Sequence, residues 1–319
     1  MLIAVSGTKC SGVEILINLL SENYNFEEVD HNDNPVNILN YITKYYEKDM
    51  VIYLDSLDLF YTLEKRPFFV HISIDSSVSL RLKRLSLEHP DRNPIDLIKT
   101  LDTHDFNSKA IELREKSNFK YKILEDTNAG DLNEMIRSKL SMIINSQLDI
   151  LRNKKKDNPE EINAPLRPDW DTYFMKLATL AASRSNCMKR RVGCVIVRDN
   201  RVIATGYNGT PRHLTNCFNG GCSRCNDGES RNLHTCLCLH AEENALLEAG
   251  RDRVGSNAIL YCDTCPCLTC SVKIVQTGIT EVVYSQSYSM DEGSFKVLRD
   301  ANVVVRQFSF IQEPRIVIV

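Results

Sequence analysis

The sequence predicts an α/β protein of two domains. Three observations carry that reading: short apolar strands alternate with helical patterns, a charged proline-bearing stretch interrupts the alternation near residue 160, and eleven of the twelve cysteines lie beyond that break. A chain of 319 residues is long for one core, so a division is expected on size alone. With 43% hydrophobic and 25% charged residues, the composition is that of a folded globular protein rather than a disordered one. The formal charge of −3 gives no global attraction to a nucleic acid polymer, although a mononucleotide needs only a local pocket.

Taken in order, Leu2 to Ser6 reads as a buried strand, followed by a glycine-bearing turn and an apolar helix over Val13 to Leu20. Val51 to Leu54 and Phe68 to Ile74 read as further strands. Ser77 to Leu87 and Asp131 to Ile144 have helical periodicity. These make residues 1–150 a parallel α/β domain. Residues 151–168 read as a linker, because Arg152 to Pro168 is charged, holds three prolines and lacks apolar period.

The second domain, 169–319, opens with an amphipathic helix over Trp170 to Ser183, with Asp169 as its cap. Arg191 to Arg198 and Arg201 to Tyr207 form a hairpin that turns at Asp199-Asn200. Gly209 to Leu239 is irregular and rich in Cys and Gly. Helices then follow at His240 to Ala249, Cys267 to Gln276 and Ser294 to Asp300, with strands at Ala258 to Cys262, Glu281 to Tyr284 and Val303 to Val305.

The N-terminus lacks the basic leader of a secretory signal, and no run of 18 apolar residues occurs, so the expected address is the cytoplasm and no membrane partner is expected. In that compartment clustered cysteines favour metal over disulfides, with scattered buried thiols as the plain alternative.

Two fragments carry the chemistry: His240-Ala241-Glu242 and Pro266-Cys267-Leu268-Thr269-Cys270. Cys267 and Cys270, three apart, share one face of a helical first turn, which Pro266 is suited to open. Amides and dipole at that end favour thiolates. His240 adds an imidazole, and three protein ligands leave a fourth position for water, as catalytic zinc requires. Two thiolates make such a zinc a weaker acid than three imidazoles would, so a nearby base becomes useful. Glu242 is that base: two residues along a helix it points away from His240, so it reaches the water rather than the metal. A Cys-x-x-Cys alone fits a redox pair or a structural zinc equally well; the full set in this order is far more specific.

H-x-E followed by P-C-x-x-C is the signature of zinc nucleobase deaminases. From about Asp169 onward the chain resembles the cytidine and deoxycytidylate deaminase superfamily, and within it the deoxycytidylate (dCMP) deaminases, particularly the long fungal form. The residues that carry this are Gly206-Tyr207-Asn208-Gly209-Thr210-Pro211, His240 to Ala245, Cys262 to Cys270, and the pair Tyr284 and Tyr288. The resemblance implies a cytidine-deaminase-like three-layer α/β/α domain around a five-stranded sheet. It implies hydrolysis of dCMP to dUMP and ammonia, which would supply thymidylate synthesis. It also implies control by dCTP as activator and dTTP as inhibitor, and a homo-oligomer, commonly a hexamer. Tyr207, Asn208, Gly209 and Tyr288 are the substrate or effector residues it suggests, although Asn208-Gly209 also reads as a plain turn.

Cys217, Cys222, Cys225, Cys236 and Cys238 crowd one irregular segment with His213 and His234 nearby. Some dCMP deaminases hold a second, structural zinc, and the resemblance aligns Cys187, Cys217 and Cys238 with its ligands, the fourth being Cys236 or His234. A metal clip would offset the entropy of ordering such a loop; free thiols are the alternative.

In the first domain, Gly7 to Gly12 follows a strand and opens a helix, the setting of a phosphate-cradling loop. A working loop needs Lys and Ser or Thr after the second glycine, whereas this chain has Val13 and Glu14. The layout resembles a nucleoside-monophosphate kinase, and is read as a degenerate P-loop kinase-like α/β domain without phosphoryl transfer. Arg81, Lys83 and Arg84 read as a solvated helix face. The rival readings are a deaminase of another cytosine nucleoside or nucleotide, or of tRNA adenosine, and a zinc-stabilised interaction module without catalysis.

Overall fold

Strands rich in Ile, Val and Leu with no polar alternation need cover on both faces, and the first unit supplies it. The computed structural model describes residues 1–125, 131–152, 164–227, 235–287, 292–310 and 316–318. These divide into two compact units, the first built on Met1–Arg167 and the second starting at Pro168.

The first unit runs β1 (Leu2–Gly7), α1 (Val13–Tyr24), β2 (Glu27–Val29), α2 (Pro35–Lys44), β3 (Met50–Tyr53), α3 (Leu57–Leu63), β4 (Phe69–Ser76), α4 (Val78–Glu88), α5 (Pro94–Asp105), α6 (Ser108–Lys116), β5 (Phe119–Ile123) and α7 (Leu132–Arg152). Ile3 and Val5 of β1 pack with α1 and α7, while Leu2 and Ala4 pack with α2 and α3 residues, so the period-two alternation of one strand feeds two helical layers. Asn34, Ser56, Ser77, Asn93 and Asn107 cap their helices with side-chain oxygens. The helix expected to stop at Ile144 continues to Arg152, because the apolar stripe goes on through Leu148 and Leu151.

The second unit begins with α8 (Trp170–Ala182), capped by Asp169, whose carboxylate accepts from the Thr172 amide at 2.7 Å. It continues through β6 (Gly193–Arg198), β7 (Arg201–Tyr207), the short α9 (Ser223–Asn226), α10 (Ala241–Val254), β8 (Ala258–Thr264), α11 (Leu268–Thr277), β9 (Ile279–Gln286), α12 (Glu292–Asp300) and β10 (Val304–Gln307). Its five strands lie in the order β10-β9-β8-β6-β7, antiparallel at β6 with β7 and at β6 with β8, and parallel elsewhere. Val195 and Val197 meet α8, whereas Cys194 and Ile196 meet the layer that holds α10 and α11. The expected α/β/α layering is therefore present. The hairpin turns at Asp199 and Asn200, both at positive φ, the twist-matched turn that their types favour.

Two glycines set how closely the layers approach. A Cβ on Gly193 would lie 2.0 Å from the Ala178 carbonyl of α8, and one on Gly206 would lie 2.1 Å from the Ala241 carbonyl of α10. The start of α10 thus rests directly on β7.

The chain end departs from the expected 169–319 domain. Strand β11 (Ile316–Ile318) pairs in parallel with β5, and the first sheet is ordered β11-β5-β4-β1-β3-β2. Its backbone pairs with the β5 edge of the first sheet, which would otherwise be open. The arginines also depart from a solvated face: Arg81 and Arg84 are buried. Arg81 makes a two-pronged pair with Asp105, and Arg84 pairs with Glu14; Lys83 is exposed and pairs with Glu125. A guanidinium is buried only when its donors are met, and here acids from α1 and α5 meet them.

Candidate metal and catalytic site

Two helix starts face each other at the site. His240 is the residue ahead of α10, and its amide donates to the Glu243 carboxylate at 2.8 Å, which fixes the first turn. Glu243 is held in turn by Lys273 of α11. Cys267 stands at the N-cap of α11 and Cys270 in its first turn, after Pro266. His240 Nδ1 lies 3.4 Å from the sulfur of Cys267 and 3.4 Å from that of Cys270. Tetrahedral zinc with its usual bond lengths separates a nitrogen and a sulfur ligand by about 3.5 Å, so the three donors fit that ion as they stand.

Electrostatics agree with a cation site. The Cys267 thiol is pushed down to about 4 by the hydrogen bond from Cys270, with His240 adding to it. His240 is raised to about 9, chiefly by that thiolate. Protons held between imidazole and sulfur are those that a divalent cation displaces. Glu242 is 4% exposed, beside Cys270, and burial pushes its carboxyl up to about 7.

Behind the Pro-Cys turn sits a buried hydroxyl chain absent from the sequence reading. Ser294 of α12 donates to the Pro266 carbonyl at 2.7 Å and meets Ser271 Oγ at 2.6 Å. No spacing signal marks it, since α12 reaches the turn only through the fold. Glu243 was open to recognition as the third residue after an N-cap.

Residues Gly206 to Gly209 lead toward the site. Gly209 and Leu239 exchange backbone hydrogen bonds at 3.2 and 2.9 Å, one residue before His240. Tyr207 is exposed, and its carbonyl accepts from the Asn244 amide group at 2.7 Å. The Asn208 side chain accepts from the Val192 amide at 2.9 Å and donates to the Arg190 carbonyl at 2.8 Å, so these contacts clamp backbone. Tyr288 and His234 lie outside the described residues.

The second cysteine group differs from expectation. Cys187, Cys217 and Cys238 come together, and among the described residues the fourth sulfur beside them is that of Cys225 rather than Cys236. Cys236 belongs to an adjoining set with Cys222, Cys225 and Cys238. The reason is α9, whose single turn places Cys225 between the two sets.

A family model described as "Cytidine and deoxycytidylate deaminase zinc-binding region" matches residues 168–286, which hold both cysteine groups, His240 and Glu242. The second unit is accordingly that of a zinc-dependent deaminase. The deoxycytidylate deaminase of Saccharomyces cerevisiae is 64% identical over 322 residues, covering all of both chains. That of Schizosaccharomyces pombe is 49% identical over 277 residues, covering 85% of this chain and 80% of the other. The chain belongs to the deoxycytidylate deaminase family. Among solved structures, the dCMP deaminase of cyanophage S-TIM5 in complex with dCMP and dUMP is 32% identical, covering 45% of this chain and 99% of that one, with a TM-score of 0.38. Among the described residues no helix is long and apolar enough to cross a membrane.

Proposed function

We propose that this chain hydrolyses dCMP to dUMP and ammonia, with Glu242 as the proton carrier and His240, Cys267 and Cys270 as the zinc ligands. One observation carries the reading: a fully buried carboxyl, raised to about 7, stands beside a two-sulfur, one-imidazole donor set. When bound, zinc would supply a Lewis acid that makes a water more acidic than in bulk, though less so than a three-imidazole site would. Glu242 takes a proton from the attacking water and delivers it to N3 of the cytosine ring. It then takes the remaining proton from the new C4 hydroxyl and passes it to the amine, so that the C4–N bond breaks, ammonia leaves and the C4 carbonyl forms. A buried carboxyl beside the donor set is placed both to accept and to return that proton. The clamp of Glu243 on the His240 amide and the Ser294 bond to Pro266 keep the donors in place.

The family resemblance supports extending this to dCTP activation, dTTP inhibition, a homo-oligomer, and substrate or effector contacts from Tyr207, Asn208, Gly209 and Tyr288. It also supports dividing the chain into a kinase-like domain, a linker and a deaminase domain. The first unit carries no phosphoryl transfer in this reading, since Glu14 occupies the helix start and Arg84 is spent on it.

The test is ammonia release from dCMP, CMP, cytidine and deoxycytidine, with and without dCTP and dTTP. dCMP is expected to be preferred; preference for unphosphorylated nucleosides would reject the assignment.

A further inference from the structure

Six cysteines, rather than four, meet on the irregular segment. Cys187 follows α8, Cys217 opens a 3₁₀ turn, Cys222 and Cys225 flank the start of α9, and Cys236 and Cys238 lie on the approach to His240. Four of the six are buried and the other two, Cys187 and Cys236, half-buried. They form two sets of four, Cys187/Cys217/Cys225/Cys238 and Cys222/Cys225/Cys236/Cys238, each with all sulfurs within 4.8 Å of one another. The sets share two members, Cys225 and Cys238.

We propose that this segment binds two divalent metal ions of the zinc class as one binuclear cluster, in which the sulfurs of Cys225 and Cys238 bridge the ions and the other four cysteines are terminal ligands. Six sulfurs give two tetrahedral sites only if two are shared, and the shared pair here is the intersection of the two sets. The spacing fits: the Cys187–Cys225, Cys222–Cys236 and Cys225–Cys236 sulfurs are 3.9, 3.8 and 3.7 Å apart. A zinc ion on four thiolates sets that edge at about 3.8 Å, while a disulfide needs about 2.05 Å.

Backbone donors give an independent sign. The Met188 amide points at the Cys217 sulfur at 3.5 Å, the Lys189 and Arg190 amides at Cys187, and the Cys225 and Leu237 amides at Cys222. These five donors serve terminal sulfurs, which keep more negative charge than a sulfur divided between two cations. Binding would send the thiol protons to solvent, and two divalent ions on six thiolates leave a formal charge of roughly −2, as one ion on four does. The all-sulfur tetrahedral set selects zinc, or iron with inorganic sulfide. A second family-type zinc accounts for only one of the two sets.

Zinc content of the full chain, purified under thiol reductant without chelator, decides the matter. Three zinc ions per chain are expected, two here and one at His240, Cys267 and Cys270. Cys225→Ser is expected to lose at least one, Cys10→Ser none. Cys267→Ser should retain two, which separates failure of this proposal from failure of the catalytic reading. Where Cys225→Ser fails to fold, the wild-type chain loaded with cadmium-113 gives the answer: scalar coupling between two cadmium resonances reports a shared sulfur. Two metals per chain, three without that coupling, or iron with sulfide would each overturn the cluster.

Discussion

At the end of β1 the chain turns through Gly7 to Gly12 into α1, and at the end of β8 it turns through Cys265-Pro266 into α11. Both strands are interior to their sheets, and both turns deliver the positive end of a helix. At the first, Glu14 in the opening turn pairs with Arg84, which also donates to the Cys10 carbonyl at 2.7 Å, and Thr8 donates to Asp75 at 2.8 Å. These polar groups are met by partners from within the chain. At the second, Cys267 and Cys270 aim sulfurs at an imidazole from the facing helix start. The shared plan offers an anion-favouring end; the side chain put there decides whether it closes on itself or holds a cation through thiolates.

The sharpest way to break this contrast is at the working junction. Glu242→Gln is expected to lower ammonia release by about 10³-fold while zinc content stays unchanged, because only the proton carrier is lost. Retained turnover would remove Glu242 from the mechanism. Gly206→Val comes next: a Cβ 2.1 Å from the Ala241 carbonyl must push α10 off β7. Thermal unfolding should show a loss of up to about 3 kcal/mol, with weaker zinc retention. Ser294→Ala removes the bond to Pro266, and chelator competition should read roughly tenfold weaker zinc with the fold kept.

The first junction makes claims about stability rather than turnover. His71 contacts Ser6, one residue before Gly7, at 2.8 Å, and burial lowers its pKa from 6.5 to about 3. Above pH 6.5 both folded and unfolded chains hold it neutral, so it costs nothing there. As pH falls below that value the unfolded chain takes a proton that the folded chain refuses. Stability should then decline by about 1.4 kcal/mol per pH unit until pH approaches 3. Denaturant titrations of wild type and His71→Gln should diverge over that window; parallel curves would mean the ring is not held neutral. Smallest is Glu14→Gln, expected to cost under about 1 kcal/mol because the carboxylate is largely exposed, and to leave deamination unchanged. A large loss of activity would show that the first junction is not merely closed.

The sequence was legible wherever chemistry is local. Asp169 caps α8 and Asp199-Asn200 turn the hairpin through contacts among near neighbours. Short pieces such as β2, α3 and β11 escaped, since three to seven residues carry too little period to stand out. Arg81 and Arg84 escaped for another reason: their acids come from α5 and α1, distant in sequence.

Spacing alone determined that Cys267 and Cys270 share a helix face, that His240 opens a helix, and that Glu242 points away from His240, since a helical turn fixes neighbours three or four residues apart. Only the tertiary structure decided that the two helix starts meet, that Ser294 braces the turn, and that Cys225 rather than Cys236 joins Cys187, Cys217 and Cys238. Those outcomes depend on the path of a loop whose cysteines are spread over some fifty residues, and no local rule sets which sulfurs such a path brings within ångströms of one another.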